Sequence, residues 1–249
     1  MRQPATVNVL GHRLAVLDLD EAARWVLDVV GATSPRLIVT LNPELVVRAR
    51  HDRHLQAALG EADLTVADGV GLLWAARREG HRLPGRVSGV DLAARVMELG
   101  GSDLRVFFLG GKPGVAESAA AVARRRWRVE TAGCHHGYFN GPEETAALVA
   151  KVAETAPDLL LAGLGESQEV FLAGNLGSLG ARVSIGVGGT LDVLAGAARR
   201  TPAWTRRLHL EWAWRVGLDR RRWHRVPRLF RFVRLVLERR APFPTRKAD

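Results

Sequence analysis

Residues 105–126 read RVFFLGGKPGVAESAAAVARRR, which is a strand, a turn and a helix in succession. The apolar run that ends at Leu109 is typical of a buried strand, and the glycines at 110 and 111 allow the chain to turn sharply. The alanine-rich stretch that starts at Val115 favours a helix. A strand that leads through a short turn into a helix is half of a βαβ unit, so this stretch predicts a parallel sheet.

The same order of strand, turn and helix recurs along most of the chain. Further apolar runs that end in a polar or glycine cluster occupy residues 37–41, 64–67, 158–162 and 183–185, and helical stretches follow at 44–58 and 70–79. We therefore predict an α/β fold, with a Rossmann-like, mostly parallel sheet covered by helices on both faces. Near the start of the chain, residues 7–10 and 13–17 favour a small hairpin.

The charge divides the chain into two parts. Residues 196–249 hold 16 of the 36 basic residues and 4 of the 26 acidic ones, so they account for all of the net charge of +10. Residues 1–195 are slightly acidic. We interpret residues 1–195 as an α/β body and residues 196–249 as a basic, tryptophan-rich helical appendage, whose charge favours an anionic partner.

Several classes of protein are excluded or disfavoured. Cys134 is the one cysteine of the sequence, so an intramolecular disulfide framework and a cysteine-rich zinc site are excluded. The chain has no apolar run of ~18 residues and does not begin like a signal peptide, so we expect a soluble, cytoplasmic protein. His135 and His136 are adjacent, so on a strand they would point to opposite faces, and no metal site is predicted. Neither nucleotide-binding glycine fingerprint is complete, which argues against an NTPase and a dinucleotide oxidoreductase.

The clusters that follow the predicted strands supply the candidate site, because ligands of open α/β sheets bind beyond the carboxyl ends of the strands. They occupy residues 40–42, 68–69, 110–111, 163–169 and 186–189. Each cluster alone could be an ordinary turn, but five together favour a site, and glycine turns before helices suit a phosphate. Asp68 is either a general base or a helix N-cap. Asp192 either binds a ribose hydroxyl or caps a first helical turn.

The appendage contains an amphipathic helical pattern at residues 228–240. At 100° per residue its apolar side chains share one face and most of its charges share the other; the apolar set is Leu229, Phe230, Phe232, Val233, Val236 and Leu237. Such a helix either lies flat in an anionic headgroup layer or packs its apolar face on the body. The charge favours the membrane surface, and both contacts are compatible.

Taken in chain order, these motifs resemble one family, the WecG/TagA/CpsF-type bacterial glycosyltransferases (glycosyltransferase family 26). The matching segments are T-L-N-P-E at 40–44, A-D-G-V-G at 67–71, G-R-V-S-G-V-D-L at 85–92, F-F-L-G-G at 107–111, H-G-Y-F at 136–139, G-L-G-E-S-Q-E at 163–169, G-V-G-G-T-L-D at 186–192, R-T-P-A-W at 200–204 and E-W-A-W-R at 211–215. Two positions depart from the family pattern. Glu166-Ser167 stands where the family has Pro-Lys, and Asp219-Arg220 where it has Glu-Pro.

The resemblance implies an inverting, metal-independent transfer from a UDP-sugar to a polyprenyl-diphosphate-linked sugar, with no cofactor. Asp68 is implied as the catalytic base, with Thr40 and Asn42 orienting substrate. The implied substrate-binding set is Arg86, Asp91, Gly110, Gly163, Gln168, Glu169, Gly188, Gly189 and Asp192, in which Gln168 and Asp192 hold the donor. Arg215, Arg222 and Arg225 would stabilise the leaving UDP. The appendage is implied to dock on the inner face of the cell membrane and complete the site.

The expected donor is UDP-N-acetylmannosamine and the expected acceptor is polyprenyl-diphosphate-linked N-acetylglucosamine, in the synthesis of cell-wall or surface polysaccharide. UDP-glucose and UDP-N-acetylmannosaminuronic acid are the alternative donors. A different class stays open from the residues alone, namely a nucleic-acid-binding module with a basic tail. The negative charge of the body and the apolar face of the tail helix argue against a nucleic-acid partner. An oxidoreductase that uses the turn at residues 186–189 is a further alternative.

Overall fold

The apolar runs of the sequence form a central six-stranded sheet in the computed structural model, which describes residues 3–197 and 226–238. The strand order is β4-β3-β8-β7-β5-β6, and all five neighbouring pairs are parallel. The sheet strands are β3 (Arg36–Leu41), β4 (Leu64–Ala67), β5 (Arg105–Gly110), β6 (Glu130–His135), β7 (Leu159–Gly163) and β8 (Val183–Gly186). The prediction of a Rossmann-like α/β fold is therefore confirmed.

Helices cover both faces of this sheet. They are α1 (Leu19–Val30), α2 (Pro43–Ala49), α3 (Arg53–Gly60), α4 (Val70–Arg78), α5 (Gly89–Gly100), α6 (Val115–Trp127), α7 (Gly141–Thr155), α8 (Gln168–Asn175), α9 (Thr190–Leu194) and α10 (Val226–Glu238). On one face the core is shared with α2, α3, α4, α7 and α8, and on the other with α1, α5, α6 and α9. Within β5, Phe107 contributes to the first core and Phe108 to the second, as the twofold alternation of a strand requires.

Two elements differ from the sequence-based expectation. The helix expected at residues 44–58 is two helices, because the Asp52 side chain accepts a hydrogen bond from Leu55 N (3.0 Å) and so caps a new helix, α3. The edge strand β6 was not predicted. Its sequence ETAGCH has small and polar residues in place of an apolar run, and the strand is only half-buried. Gly133 lets it approach the ring of Phe107 closely, since a Cβ there would lie 2.6 Å from Phe107 Cε2.

The hairpin at the start of the chain is confirmed, with β1 (Thr6–Val9) antiparallel to β2 (His12–Ala15). A helix is also present in the appendage, where α10 packs against α2 and α4. Within the described part of the chain, no helix combines the length and the apolar character needed to span a bilayer. The division of the chain at residue 196 stays a prediction.

Candidate active site

Asp68 and Asn42 lie side by side at the carboxyl edge of the sheet. The register of β3 and β4 pairs Leu41 with Ala67, so the residue that follows each strand stands at the same level. The backbone N–H of Asp68 donates to Leu41 O at 2.7 Å and extends the pairing by one residue. Gly69 then takes a φ of +110°, which turns the chain into α4 directly after the carboxylate. Asp68 is half-buried, and its position suits proton transfer to a ligand above this edge.

The segment that contains Arg86 and Asp91 adds to the same edge. Val87 N donates to Ala67 O at 2.9 Å, one residue before Asp68. Ser88 caps α5, and its hydroxyl donates to Asp91 Oδ2 at 2.6 Å. Arg86 Nη2 lies 3.5 Å from the same carboxylate oxygen. The structure thus brings Arg86 and Asp91 close to Asp68, and Arg86 and Asp91 form an ion pair with each other.

Thr40 and Asn42 both have side chains that order the backbone. Thr40 is buried, and its hydroxyl donates to Gly186 O at 3.1 Å, which ties the end of β3 to the end of β8. Asn42 Oδ1 accepts from Leu45 N at 3.0 Å and caps α2. The cap does not use the Nδ2 group of Asn42, and this group is a donor suited to orienting a substrate.

Glycines let the remaining strand ends pack without side chains between them. A Cβ on Gly110 would lie 2.4 Å from Gly163 O, and one on Gly163 would lie 2.5 Å from Gly188 O. The ends of β5, β7 and β8 therefore meet through backbone alone. Gly189 follows, and a Cβ on it would lie 3.9 Å from Asp192 Oδ2 in the first turn of α9. This part of the edge can offer backbone groups to a polar ligand.

Gln168 and Glu169 are brought to the same region, but they lie beneath its surface. Both side chains are buried at the start of α8. Gln168 Oε1 accepts from Gly188 N at 3.0 Å, and Gln168 Nε2 donates to Glu169 Oε1 at 2.7 Å. Burial raises the pKa of the Glu169 carboxyl above its ordinary value.

Helix α10 packs on the body beside the turn that follows Asp68, as one of the sequence-based alternatives allowed, but the residues that make the contact were not identified from the sequence. The ring of Phe232 packs over Gly71, where a Cβ would lie 3.0 Å from Phe232 Cε1 and 2.9 Å from Pro43 Cγ. Arg228 forms ion pairs with Glu44 and, at 2.6 Å, with Glu166. The signal in the sequence that could have indicated this contact was the departure from the family pattern at Glu166, because Glu166 pairs with Arg228 of α10.

The same contacts revise the expected faces of α10. At 100° per residue Arg228 belongs to the charged face, opposite the apolar side chains, but it points to the body because two carboxylates accept hydrogen bonds from it there. The expected apolar face is divided, since Phe232 and Val236 are buried while Phe230 and Leu237 are exposed. The helix therefore packs on the body and keeps an apolar edge toward solvent.

The three arginines expected at the leaving group, Arg215, Arg222 and Arg225, lie outside the described residues. Across residues 3–197 and 226–238, no group of three or more His, Cys, Asp or Glu side chains is arranged to hold a metal ion.

The adjacent histidines, His135 and His136, lie near the Gly110 turn, where Gly137 N donates to Gly111 O at 2.9 Å. Their rings lie 4.4 Å apart.

A parallel α/β sheet with a carboxylate, an amide and glycine turns along its carboxyl edge is typical of Rossmann-like α/β enzymes. Residues 7–246 match the model of the glycosyl transferase WecG/TagA/CpsF family, and the chain belongs to this family. It is therefore a glycosyltransferase, and the nucleic-acid-binding and oxidoreductase alternatives are not favoured.

Named relatives agree with this assignment. A protein of Bacillus spizizenii (strain ATCC 23059 / NRRL B-14472 / W23) is 33% identical over 204 residues, which cover 81% of this chain and 78% of the relative. A protein of Staphylococcus aureus (strain MRSA252) is 32% identical over 200 residues, with 80% and 77% covered. Each relative is named N-acetylglucosaminyldiphosphoundecaprenol N-acetyl-beta-D-mannosaminyltransferase.

Proposed function

We propose that this enzyme transfers N-acetylmannosamine from UDP-N-acetylmannosamine to N-acetylglucosaminyl-diphospho-polyprenol. The names of the relatives support the transferred sugar and the acceptor. The observation that carries the proposal is the match to the family over residues 7–246, combined with the position of Asp68 where two strand ends meet. The same evidence does not favour UDP-glucose or UDP-N-acetylmannosaminuronic acid as the donor.

In the proposed step, Asp68 removes the proton of the acceptor hydroxyl. The hydroxyl oxygen attacks the anomeric carbon of the donor, the new glycosidic bond forms, and the bond to UDP breaks with inversion. Asp68 suits this role because it directly follows a buried strand, next to the capping residue Asn42. A carboxylate held at a strand end is ordered without being sealed from substrate, and general-base catalysis of this kind contributes ~10²–10⁴-fold to rate.

The donor is proposed to lie along the glycine turns at Gly163, Gly188 and Gly189, which are partly or fully exposed, whereas Gly110 is buried. Arg86, Asp91 and Asp192 are the proposed polar contacts on either side. The UDP that leaves carries negative charge, and Arg215, Arg222 and Arg225 are proposed to stabilise it, since a guanidinium matches phosphate oxygens in pairs. Thr40 is proposed to keep the ends of β3 and β8 together during the reaction, because its hydroxyl bonds Gly186 O.

The appendage is proposed to hold the enzyme at the inner, anionic surface of the cell membrane, where its lipid-linked acceptor resides. Support comes from α10, on which Phe230 is 71% exposed and Leu237 is 55% exposed. The exposed Arg231 lies on the same outward side, together with Arg234, which pairs with Glu238. Apolar side chains flanked by arginines suit the boundary between headgroups and acyl chains, and each basic residue near that surface contributes ~1 kcal/mol.

Asp68→Asn tests the chemical step. The change removes the base and preserves the shape of the side chain, so we expect turnover to fall ~10²–10⁴-fold. UDP affinity, measured by calorimetry, should stay within about threefold of the wild type. Turnover is measured as UDP release with UDP-N-acetylmannosamine and a detergent-solubilised acceptor. Asp103→Asn is the matched control, because Asp103 is an exposed carboxylate before β5, at the opposite edge of the sheet. Near-normal turnover of Asp68→Asn would rule out Asp68 as the base.

The membrane contact is tested by sedimentation with vesicles that contain phosphatidylglycerol. Replacing both Phe230 and Leu237 with alanine removes the apolar edge, at ~1.5 kcal/mol for each side chain, so vesicle affinity should fall about 100-fold. Leu99→Ala removes an exposed leucine from α5 and should leave vesicle binding unchanged. If the double variant sediments like the wild type, α10 does not insert into the lipid surface.

A further inference from the structure

Gln168 and Glu169 form a buried polar pair at the start of α8. Only 7% of Gln168 and 3% of Glu169 are exposed. Among the described residues, Glu169 Oε2 is a buried acceptor without a hydrogen-bond partner. Burial raises the pKa of this carboxyl, against smaller opposing effects of hydrogen bonds and of the Arg48 charge. An unsatisfied buried carboxyl oxygen reduces stability. The pair therefore occupies this position at a cost that packing alone does not explain.

The hydrogen bonds of the pair allow one orientation of the Gln168 carboxamide. Gly188 offers an N–H, so the atom that faces it at 3.0 Å must be the amide oxygen. Glu169 Oε1 accepts at 2.7 Å, so the NH2 group must point to the carboxyl. Glu169 thus fixes the amide of Gln168, and the amide of Gln168 fixes the backbone of Gly188.

Gly188 is confined from other directions as well. Its φ of +53° places it in the left-handed region, and its carbonyl oxygen would lie 2.5 Å from a Cβ on Gly163. A Cβ on Gly186 would lie 3.0 Å from Gln168 Nε2, so the turn also fits closely over the amide. A small change in the carboxamide would therefore move the whole turn at residues 186–189.

We propose that Gln168 and Glu169 are positioning residues, which hold the turn at residues 186–189 in its donor-binding shape and do not themselves contact the donor. This inference rests on the proposed function, because it assigns that turn to the UDP moiety. The proposal therefore differs from what the family resemblance implies, namely that Gln168 binds the donor directly. The chain of contacts runs from the Glu169 carboxyl through the Gln168 amide to Gly188 N.

The test is a double-mutant cycle on UDP affinity with Gln168→Met, Glu169→Met and the double variant. Methionine keeps the volume of either side chain and removes the hydrogen bonds. Each single variant should weaken UDP binding about tenfold, the equivalent of one hydrogen bond. Because both act through one contact chain, the double variant should be no weaker than the weaker single variant, within about threefold. Glu169→Gln retains an acceptor for Gln168 Nε2, and its affinity should stay close to that of the wild type.

Two controls separate positioning from a general loss of folding. In Glu169→Met the loss of a buried carboxyl offsets the Gln168 Nε2 donor that is left unpaired, so the melting temperature should stay within ~4 °C of the wild type. Ser184→Ala removes a different buried polar group, a hydroxyl on the neighbouring strand β8 that has no hydrogen-bond partner within the described chain. This variant should leave UDP affinity unchanged. Loss of UDP binding in proportion to loss of melting temperature would overturn the proposal.

Additive effects of the two methionine variants, or unchanged affinity in both, would also overturn it. Amide exchange of Gly188 in the ligand-free protein provides a readout that does not depend on UDP. Gln168→Met should accelerate this exchange about tenfold. If the wild type binds no UDP, the proposed function fails, and unchanged exchange in Gln168→Met then separately refutes the positioning of Gly188.

Discussion

Replacing Phe232 with alanine removes a side chain that attaches α10 to the start of α4, beside the site. The ring is 1% exposed and packs over Gly71 at the start of α4. Truncation of a buried phenylalanine costs ~3–5 kcal/mol, and we take the lower value because a surface helix can move to fill part of the space. A cost of ~3 kcal/mol makes undocking of α10 more frequent by a factor of about 100.

Hydrogen exchange of the amides at residues 226–238 measures this undocking. Exchange should accelerate about 100-fold in Phe232→Ala, while the second core cluster, which does not include Phe232, retains its protection. Phe230→Ala is the matched control, with the same substitution two residues away on a side chain that is 71% exposed. It should leave exchange unchanged. Equal exchange rates in Phe232→Ala and the wild type would refute the docked helix, as would equal acceleration in both variants.

Three other predictions follow from burial and close packing. Burial lowers the pKa of His12 to about 4 from its ordinary 6.5. The free energy of unfolding is therefore at its maximum above pH 6.5 and falls by up to about 3 kcal/mol as the pH drops to 4. In urea denaturation His12→Gln should flatten this pH dependence, and an equal pH dependence in variant and wild type would contradict the prediction. Burial raises the pKa of the Cys134 thiol to about 11 from 9.0, so iodoacetamide at pH 7.5 should alkylate the folded protein about 100-fold more slowly than the unfolded chain; equal rates would exclude this. Gly163→Ala places a methyl group 2.5 Å from Gly188 O and should lower the free energy of unfolding, measured by thermal unfolding, by ~1–3 kcal/mol. Gly177→Ala, with nothing within 4 Å of the new Cβ, should lower it little. Equal losses of stability in the two variants would show that the contact with Gly188 O is not responsible.

The central sheet could be predicted from the sequence because its strands are apolar on both faces and end at glycines or polar residues. That signal failed at β6, where an edge strand needs few large apolar residues and Gly133 admits the ring of Phe107. It also failed inside the expected helix at 44–58. A local hydrogen bond from Leu55 N to Asp52 outweighs the continuity of a helical pattern there.

The edge that carries the site could be predicted for a similar reason, since parallel strands bring all of their carboxyl ends together. The direction in which each side chain points could not be predicted from the sequence. Gln168 has the composition of a ligand-binding residue, yet its amide is used by Gly188 and Glu169. The pairing of Arg228 with Glu166, 62 positions apart in the chain, depends on how α10 lies across the body, and helical periodicity carries no information about it.

The ion pair between Arg228 and Glu166 limits how freely the tail can be exchanged within the family. Glu166 occupies a position where the family pattern has proline, followed by a lysine in place of Ser167. If a relative follows the Pro-Lys pattern that the resemblance implies, we expect a chimera with this tail on that relative's body to lack one of the two carboxylates that Arg228 contacts here. We therefore expect a hybrid to dock α10 best when both sides of the contact, Arg228 and Glu166, are transplanted together.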